Sequence, residues 1–386
     1  MGLLKDKNFR IVLSILVMGV MGGSIVGPIL PAMTGPLNVS KSTIGLVLSV
    51  YTIFALIFTP ILGVMADRYG RRKILIPSLL AFGLTGSAIA ITREFWLVLL
   101  FRAIQGIAVA GIMNLAVTLI GDLFSGRKLA RAMGYRTTAQ NFINATAPFL
   151  AGALAAISWF FPFLIYSLAI VVGILVILKL DIPEYKNNSK LQDYFKAAST
   201  VIRYPKTLWI FFNNFMIFVL LYSLVVYMPM IITDKFGLST VYSGLAISVA
   251  AGTSGIFATQ TGKLKGMFND HLIVLVGFVF LGLSLLLVAF AGQIVELLLY
   301  LVLWGIGASL IMPTLTTAVT EQAPPHLRAG VVSVFSMTIY LGQSVSPPLF
   351  GQILSFSDLK TVFLIASASA LIPIFYALLR LIKNEK

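Results

Sequence analysis

Twelve long apolar runs follow one another along this chain, at 11–33, 43–66, 74–92, 96–121, 133–156, 161–180, 207–232, 241–262, 273–291, 296–319, 330–354 and 361–381. Each approaches or exceeds the roughly 20 residues that a helix needs to cross the hydrocarbon core of a bilayer. Inside that core the backbone must satisfy its own N–H and C=O groups, so apolar runs of this length dictate helices. Of the 386 residues, 59% are hydrophobic and only 11% charged. A water-soluble domain cannot hide so much apolar sequence, because its surface must be largely polar. The chain therefore reads as an all-α membrane protein with twelve transmembrane helices. A soluble enzyme, a disordered chain and a disulfide scaffold are excluded. There is no cysteine, which removes disulfides, thiolate metal sites and cysteine nucleophiles. No phosphate loop, hydrolase elbow or zinc signature is present. No metal, cofactor or enzymatic activity is expected.

The formal net charge of +15 would suggest nucleic acid as a partner in a soluble protein. Sorting the basic residues by side of the membrane gives a different meaning. With the N-terminus placed inside, 23 of the 28 Lys and Arg fall on the cytoplasmic side, four outside, and Arg102 alone within a span. That bias is the positive-inside pattern. It predicts a multi-pass protein of the cell membrane with both termini cytoplasmic, in contact with lipid and not with nucleic acid.

The longest hydrophilic segment, 181–206, separates six spans from six. Leu191, Tyr194, Phe195, Ala198 and Ile202 recur in it at helical spacing, which predicts an amphipathic helix on the cytoplasmic surface. A constant shift of 199 residues carries Gly63 onto Gly262, Gly83 onto Gly282, Gly106 onto Gly305, Pro148 onto Pro347, Gly152 onto Gly351 and Asp122 onto Glu321. A common offset across successive spans suggests two six-helix bundles related by duplication, 1–180 and 207–386, with a path between them.

Between spans 2 and 3 the chain reads Gly63-Val-Met-Ala-Asp67-Arg68-Tyr-Gly70-Arg71-Arg72-Lys73. Gly63 allows close helix approach and Gly70 a tight turn. Asp67 needs partners at the membrane edge; Arg71 and Arg131 are within reach, and Asp122 closes span 4 on the same side. The corresponding loop of the second half carries Gly266 where an acid would stand, so its charge network is expected to be degenerate. Span 4 holds Arg102, Gln105 and Gly106. An arginine within hydrocarbon is a candidate functional residue by default. Gln105 shares its face at three residues' spacing, whereas Asn114 points elsewhere. Span 1 carries Gly22-x5-Pro28-Ile-Leu-Pro31, with Gly19, Gly23 and Gly27 forming a smooth packing face. Span 5 carries Pro148 and Gly152, and span 11 Pro347.

These motifs together resemble the major facilitator superfamily. The 63–73 loop is similar to its signature G-x-x-x-D-[RK]-x-G-[RK]-[RK] at every defined position. Arg102-x-x-Gln105-Gly106 and the span 1 pattern resemble motifs of its twelve-span drug:proton antiporters. Ala147-Pro148-Phe-Leu-Ala-Gly152 resembles a weakened antiporter motif, with alanine in place of two glycines. The resemblance implies two six-helix bundles that rock about a central site, exposing it to each side in turn. It implies a latch of Gly63, Asp67, Arg68, Gly70, Arg71, Arg72, Asp122 and Arg131, which in the superfamily holds the outward-facing state. It implies coupling through Arg102, Gln105 and Gly106, and hinge or packing roles for Gly23, Pro28, Pro31, Pro148, Gly152 and Pro347.

Polar residues facing lipid are disfavoured, so stripes of them mark a cavity or a helix contact. Thr137, Asn141 and Asn144 form one stripe on span 5. Ser333, Ser336, Tyr340 and Ser344 form another on span 11. Together with spans that the resemblance assigns to the path, the candidate cavity residues are Tyr51, Phe54, Asn141, Asn144, Asn213, Met216, Tyr227, Trp304, Tyr340 and Gln343. Aromatic and methionine side chains suit flat apolar or cationic compounds. The expected function is proton-coupled efflux of drug-like or amphipathic small molecules by a monomer. No Asp or Glu lies at the middle of a span, so the proton carrier is unassigned. A facilitator or symporter of a sugar, metabolite or lipid remains the alternative.

Overall fold

The computed structural model describes residues 2–180, 205–322 and 328–382. The amphipathic segment expected within 181–206 falls almost wholly outside them. Among the described residues there are helices and turns and no strand.

Helix starts follow local chemistry. Asp6 accepts a hydrogen bond from the Phe9 amide and caps α1, Lys7–Ser24. Span 1 then breaks: a short 3-10 turn, Gly27–Ile29, leads into a five-residue helix, Leu30–Thr34. Pro28 and Pro31 lack the N–H that would continue the ladder, so the break is written in the sequence. Next come α2, Leu46–Tyr69, and α3, Arg71–Ala88, separated only by Gly70. Gly70 has φ of 102°, a conformation that a side chain would strain. It lets two spans reverse direction in one residue.

The first half continues with α4, Phe95–Leu123, α5, Gly126–Ile157, and α6, Leu168–Lys179. The second half has α7, Pro205–Met230, α8, Thr240–Lys265, α9, Asp270–Phe290, α10, Ile294–Gln322, and α11, Arg328–Ser355. It ends in α12, Leu359–Ser369, and α13, Leu371–Ile382, two pieces of one apolar stretch. Side chains of Asn269 and Asp358 cap α9 and α12.

The two halves are built alike. The 199-residue shift lays α4 on α10 end for end and α5 within a few residues of α11. It also preserves contacts. A Cβ added at Gly106 would strike the Tyr51 carbonyl; one added at Gly305 would lie 2.7 Å from the Ala250 carbonyl, the shifted counterpart of Tyr51. Close packing at small residues is the main route to tight helix association inside a bilayer.

Ten helical stretches among the described residues are long and apolar enough to span a membrane. The two long helices outside that set, α5 and α11, are each other's counterparts under the shift. Both are long enough to cross, at 32 and 28 residues. Their polar stripes lower their hydropathy, which is what a helix facing a watery path rather than lipid requires.

Candidate functional site

The loop between α2 and α3 ties the first half together at its basic end. Arg71, buried at the first residue of α3, forms an ion pair with Asp122 in the last turn of α4. Each charge opposes its own helix dipole, so each offsets the other's misplacement. Arg72 donates to the Ile177 carbonyl of α6. Arg68 is exposed and lies over the Tyr69 ring, Asp67 and Gly63 are half-buried, and Arg131 on α5 is exposed.

In the second half the same corner is rewired rather than degenerate, which corrects the expectation from Gly266. Asp270 stands at the shifted position of Arg71 and Glu321 at that of Asp122. Both positions are therefore acidic, and Lys265 bridges them, 3.7 Å from Asp270 and 2.9 Å from Glu321.

Deep in the first bundle, Arg102 is fully buried. Its Nε donates to the Val47 carbonyl of α2 over 3.1 Å. Both terminal nitrogens donate to the Gly22 carbonyl of α1, at 3.2 Å each. Nη1 also donates to Gln105 Oε1 over 2.9 Å, and Gln105 donates onward to the Phe82 carbonyl. The Tyr166 hydroxyl is a third donor to Gly22. Because α1 ends just beyond Gly22, the guanidinium sits at a helix C-terminus, where a cation is favoured. The Tyr51 ring covers it, 4.0 Å from the guanidinium carbon to the ring centroid. Asn114, on another face, donates to the Thr59 carbonyl of α2.

Among the described residues, the hydrogen bonds and the tightest backbone contacts between the halves cluster at one end. The Thr240 hydroxyl of α8 donates to the Gly152 carbonyl of α5 over 2.8 Å, and the Phe149 amide donates to Ser248. A Cβ at Gly45 would lie 2.9 Å from Pro347, and one at Gly351 would strike the Ser42 carbonyl. Lys41 and Asp234 pair across the same end at 2.6 Å. Toward the basic end α5 and α8 part. Gly252, Gly255 and Gly262 have no neighbour near a would-be Cβ, and Phe142 and Ile256 are exposed.

The structure sorts the candidate cavity residues. Asn141 is exposed on the open face of α5. Phe54, Asn144, Tyr340 and Gln343 are half-buried, and Asn144 accepts from Ser24 Oγ of α1. Tyr51, Asn213, Met216, Tyr227 and Trp304 are buried. Tyr227 donates to the Pro347 carbonyl and pins α7 to α11. Asn213 bonds back to Trp209 of its own helix. Gly23, by contrast, meets the second half: a Cβ there would lie 3.6 Å from the Tyr222 hydroxyl. Sequence reasoning missed Tyr222. The signal was present, since the 199-residue shift places Tyr222 on Gly23, and equivalent residues of α1 and α7 meet where the two bundles touch.

Comparison with known proteins agrees with this architecture. A bacillibactin exporter of Bacillus subtilis (strain 168) is 27% identical over 388 residues, covering 96% of both chains. The multi-drug resistance efflux pump PmrA of Streptococcus pneumoniae is 27% identical, covering 84% of this chain and 83% of its own. The class B tetracycline resistance protein of Escherichia coli is 23% identical, covering 91% and 90%. Among solved structures, the nucleoside transporter NupG superposes with a TM-score of 0.81 at 14% identity, covering 97% of this chain and 98% of its own. A bacterial homologue of the human lysosomal transporter Spinster, inward-facing and unoccupied, does so with 0.75 at 15%, covering 97% and 95%. The family profile of the Major Facilitator Superfamily matches residues 12–347 and 256–386, so the chain belongs to that superfamily.

Proposed function

We propose that this transporter exports amphipathic small molecules from the cytoplasm, working as a monomer in the cell membrane. Bundles 1–180 and 207–386 rock about a site between α1, α2, α4, α5, α7, α8, α10 and α11, and protons moving inward drive the cycle. The observation that carries this is the one-ended closure. Helices α5 and α8 meet near Gly152 and separate toward the end that carries most of the basic loops, and the chain entering α2 meets α11 near Gly45 and Gly351 at the closed end. With that end cytoplasmic, as the charge bias requires, the molecule stands open inward, ready to load from the cytoplasm. The export and resistance names of three relatives along most of the chain support the direction.

In this reading the Arg71–Asp122 pair and its Lys265-centred counterpart keep each bundle rigid while the pair rocks. Asp67 then has the opposing bundle as its partner when the cytoplasmic end closes. Arg102 couples protonation or substrate charge to the exchange, because it grips the broken α1 at Gly22, and α1 faces the other bundle at Gly23. A transporter must bind its load differently in the two states for either to be favoured, and a charge on a broken helix next to the site is placed to do so.

The test uses energised cells expressing the protein and a panel of fluorescent amphipathic compounds of both charge signs. Lower retention of at least one compound, restored by a protonophore, is the expected result. Unchanged retention across the panel removes the export reading, and retention that is lowered but indifferent to the protonophore removes proton coupling alone.

A further inference from the structure

Among the described residues Arg102 has no counter-ion. Every acceptor it meets is a neutral oxygen: the carbonyls of Val47 and Gly22 and the amide of Gln105. It forms no ion pair among the described residues, and no Asp or Glu lies at mid-span in the sequence. The C-terminus of α1 supplies roughly half a negative charge, which leaves net positive charge inside the bundle. Being fully buried, that charge is poorly screened by salt.

Besides Tyr166, whose hydroxyl shares the Gly22 carbonyl with it, three tyrosines gather beside it from both halves. Tyr51 of α2 covers the guanidinium. Tyr222 of α7 comes over the break in α1, its hydroxyl beside Gly23. Tyr340 of α11 lies within electrostatic range of both Tyr51 and Tyr222, and Tyr222 within range of Arg102. None of the three hydroxyls is hydrogen-bonded to a described residue. A phenol next to an uncompensated cation is an O–H donor looking for an acceptor. A cation arriving there would meet a like charge and, among the described residues, no carboxylate to pair with. One face of the Tyr51 ring is already taken by Arg102.

We infer that the site flanked by Arg102, Tyr51, Tyr222 and Tyr340 takes organic anions, carboxylates in particular, in preference to the cationic compounds that an aromatic cavity would suggest. This deepens the export reading and rests on it for the direction of movement. Arg102 supplies the field and the phenols supply the hydrogen bonds. The open end carries the same sign, with Arg127, Lys128 and Arg131 exposed on α5 and Lys263 on α8, which would draw anions toward the path.

The test compares two dyes that share a xanthene skeleton and differ in charge, carboxyfluorescein as the anion and rhodamine 123 as the cation. Binding to the purified protein and export from cells are measured separately. The wild-type protein should bind carboxyfluorescein at least tenfold more tightly than rhodamine 123. The combined variant Tyr222→Phe with Tyr340→Phe should weaken carboxyfluorescein binding by about tenfold or more, as loss of hydrogen bonds to a charged group does, and so narrow or abolish the preference over rhodamine 123, with thermal stability unchanged. Arg102→Gln should weaken anion binding further; if it fails to fold, the tyrosine variant still decides. Equal or tighter binding of rhodamine 123, or carboxyfluorescein binding indifferent to the tyrosines, overturns the inference. Selective binding of carboxyfluorescein with no export of either dye upholds it and counts against the export reading instead.

Discussion

A lone guanidinium can be kept charged inside a bundle only if neutral dipoles replace its water. Arg102 shows how: a helix end, two backbone carbonyls and one amide do what a carboxylate does elsewhere. Lysine, a compact charge without the planar fork, could not hold Val47, Gly22 and Gln105 together. Glycine does the complementary work at this scale. Gly106→Val would push two methyl-bearing branches against the Tyr51 backbone and Phe54. Backbone cannot swing aside as a flexible side chain can, so the cost is expected at roughly 1–3 kcal/mol, the usual range for overpacking. Gly255→Val, with open space around it, should leave stability unchanged. Thermal unfolding of the two purified variants checks this, and equal midpoints would mean that the α2–α4 contact yields easily. The pairing of Arg102 with Gln105 was readable from their spacing. The carbonyls they reach were not, because those belong to other helices.

At the scale of elements, α5 and α11 stand apart. They are the polar members of the set, they occupy equivalent places in the repeat, and each packs on a partner from the opposite half. The closed end of α5 against α8 depends on two glycines in backbone contact, Gly152 and Gly244. Gly152→Val would wedge that contact apart. The expected result is a shift toward the state open at the Lys41 and Asp234 end, with transport slowed at least tenfold and the protein still inserted. Spin labels placed either side of that end should report a longer distance than in wild type; an unchanged distance with normal transport would show that the helices slide past the added side chain. The break in α1 was legible in Pro28 and Pro31, and the hinge between α2 and α3 in Gly70. The wiring of Lys265 was not, since its partners come from α9 and α10, and the motif was read within one loop.

The whole molecule offers an unusually clean test of rocking because the chain has no cysteine. Lys41 and Asp234 meet across the two halves at the closed end. Exposed ion pairs of this kind contribute little by themselves, so removing the pair should not trap the protein. A covalent tie should. With Lys41→Cys and Asp234→Cys introduced together, a short bis-methanethiosulfonate linker, which joins two thiols through reducible disulfides, is expected to stop export, and a reductant to restore it. Either cysteine alone, treated with the linker, should transport normally. Continued export by the doubly substituted, cross-linked protein would mean that the two halves need not part at this end, contrary to rocking.

What the sequence determined alone is whatever depends on neighbours along the chain. Apolar runs longer than a bilayer set the helices, prolines and a single glycine set their breaks, and a constant offset lays the long helices of one half on those of the other. The tertiary structure decided whatever depends on residues brought together from distant spans. It chose neutral carbonyls rather than a carboxylate for Arg102, acids for Lys265, the closed end at Gly152 and Gly351, and Tyr222 opposite Gly23. The physical reason is that burial penalises an unpaired polar group, while the geometry of two packed bundles decides which partner, if any, is near.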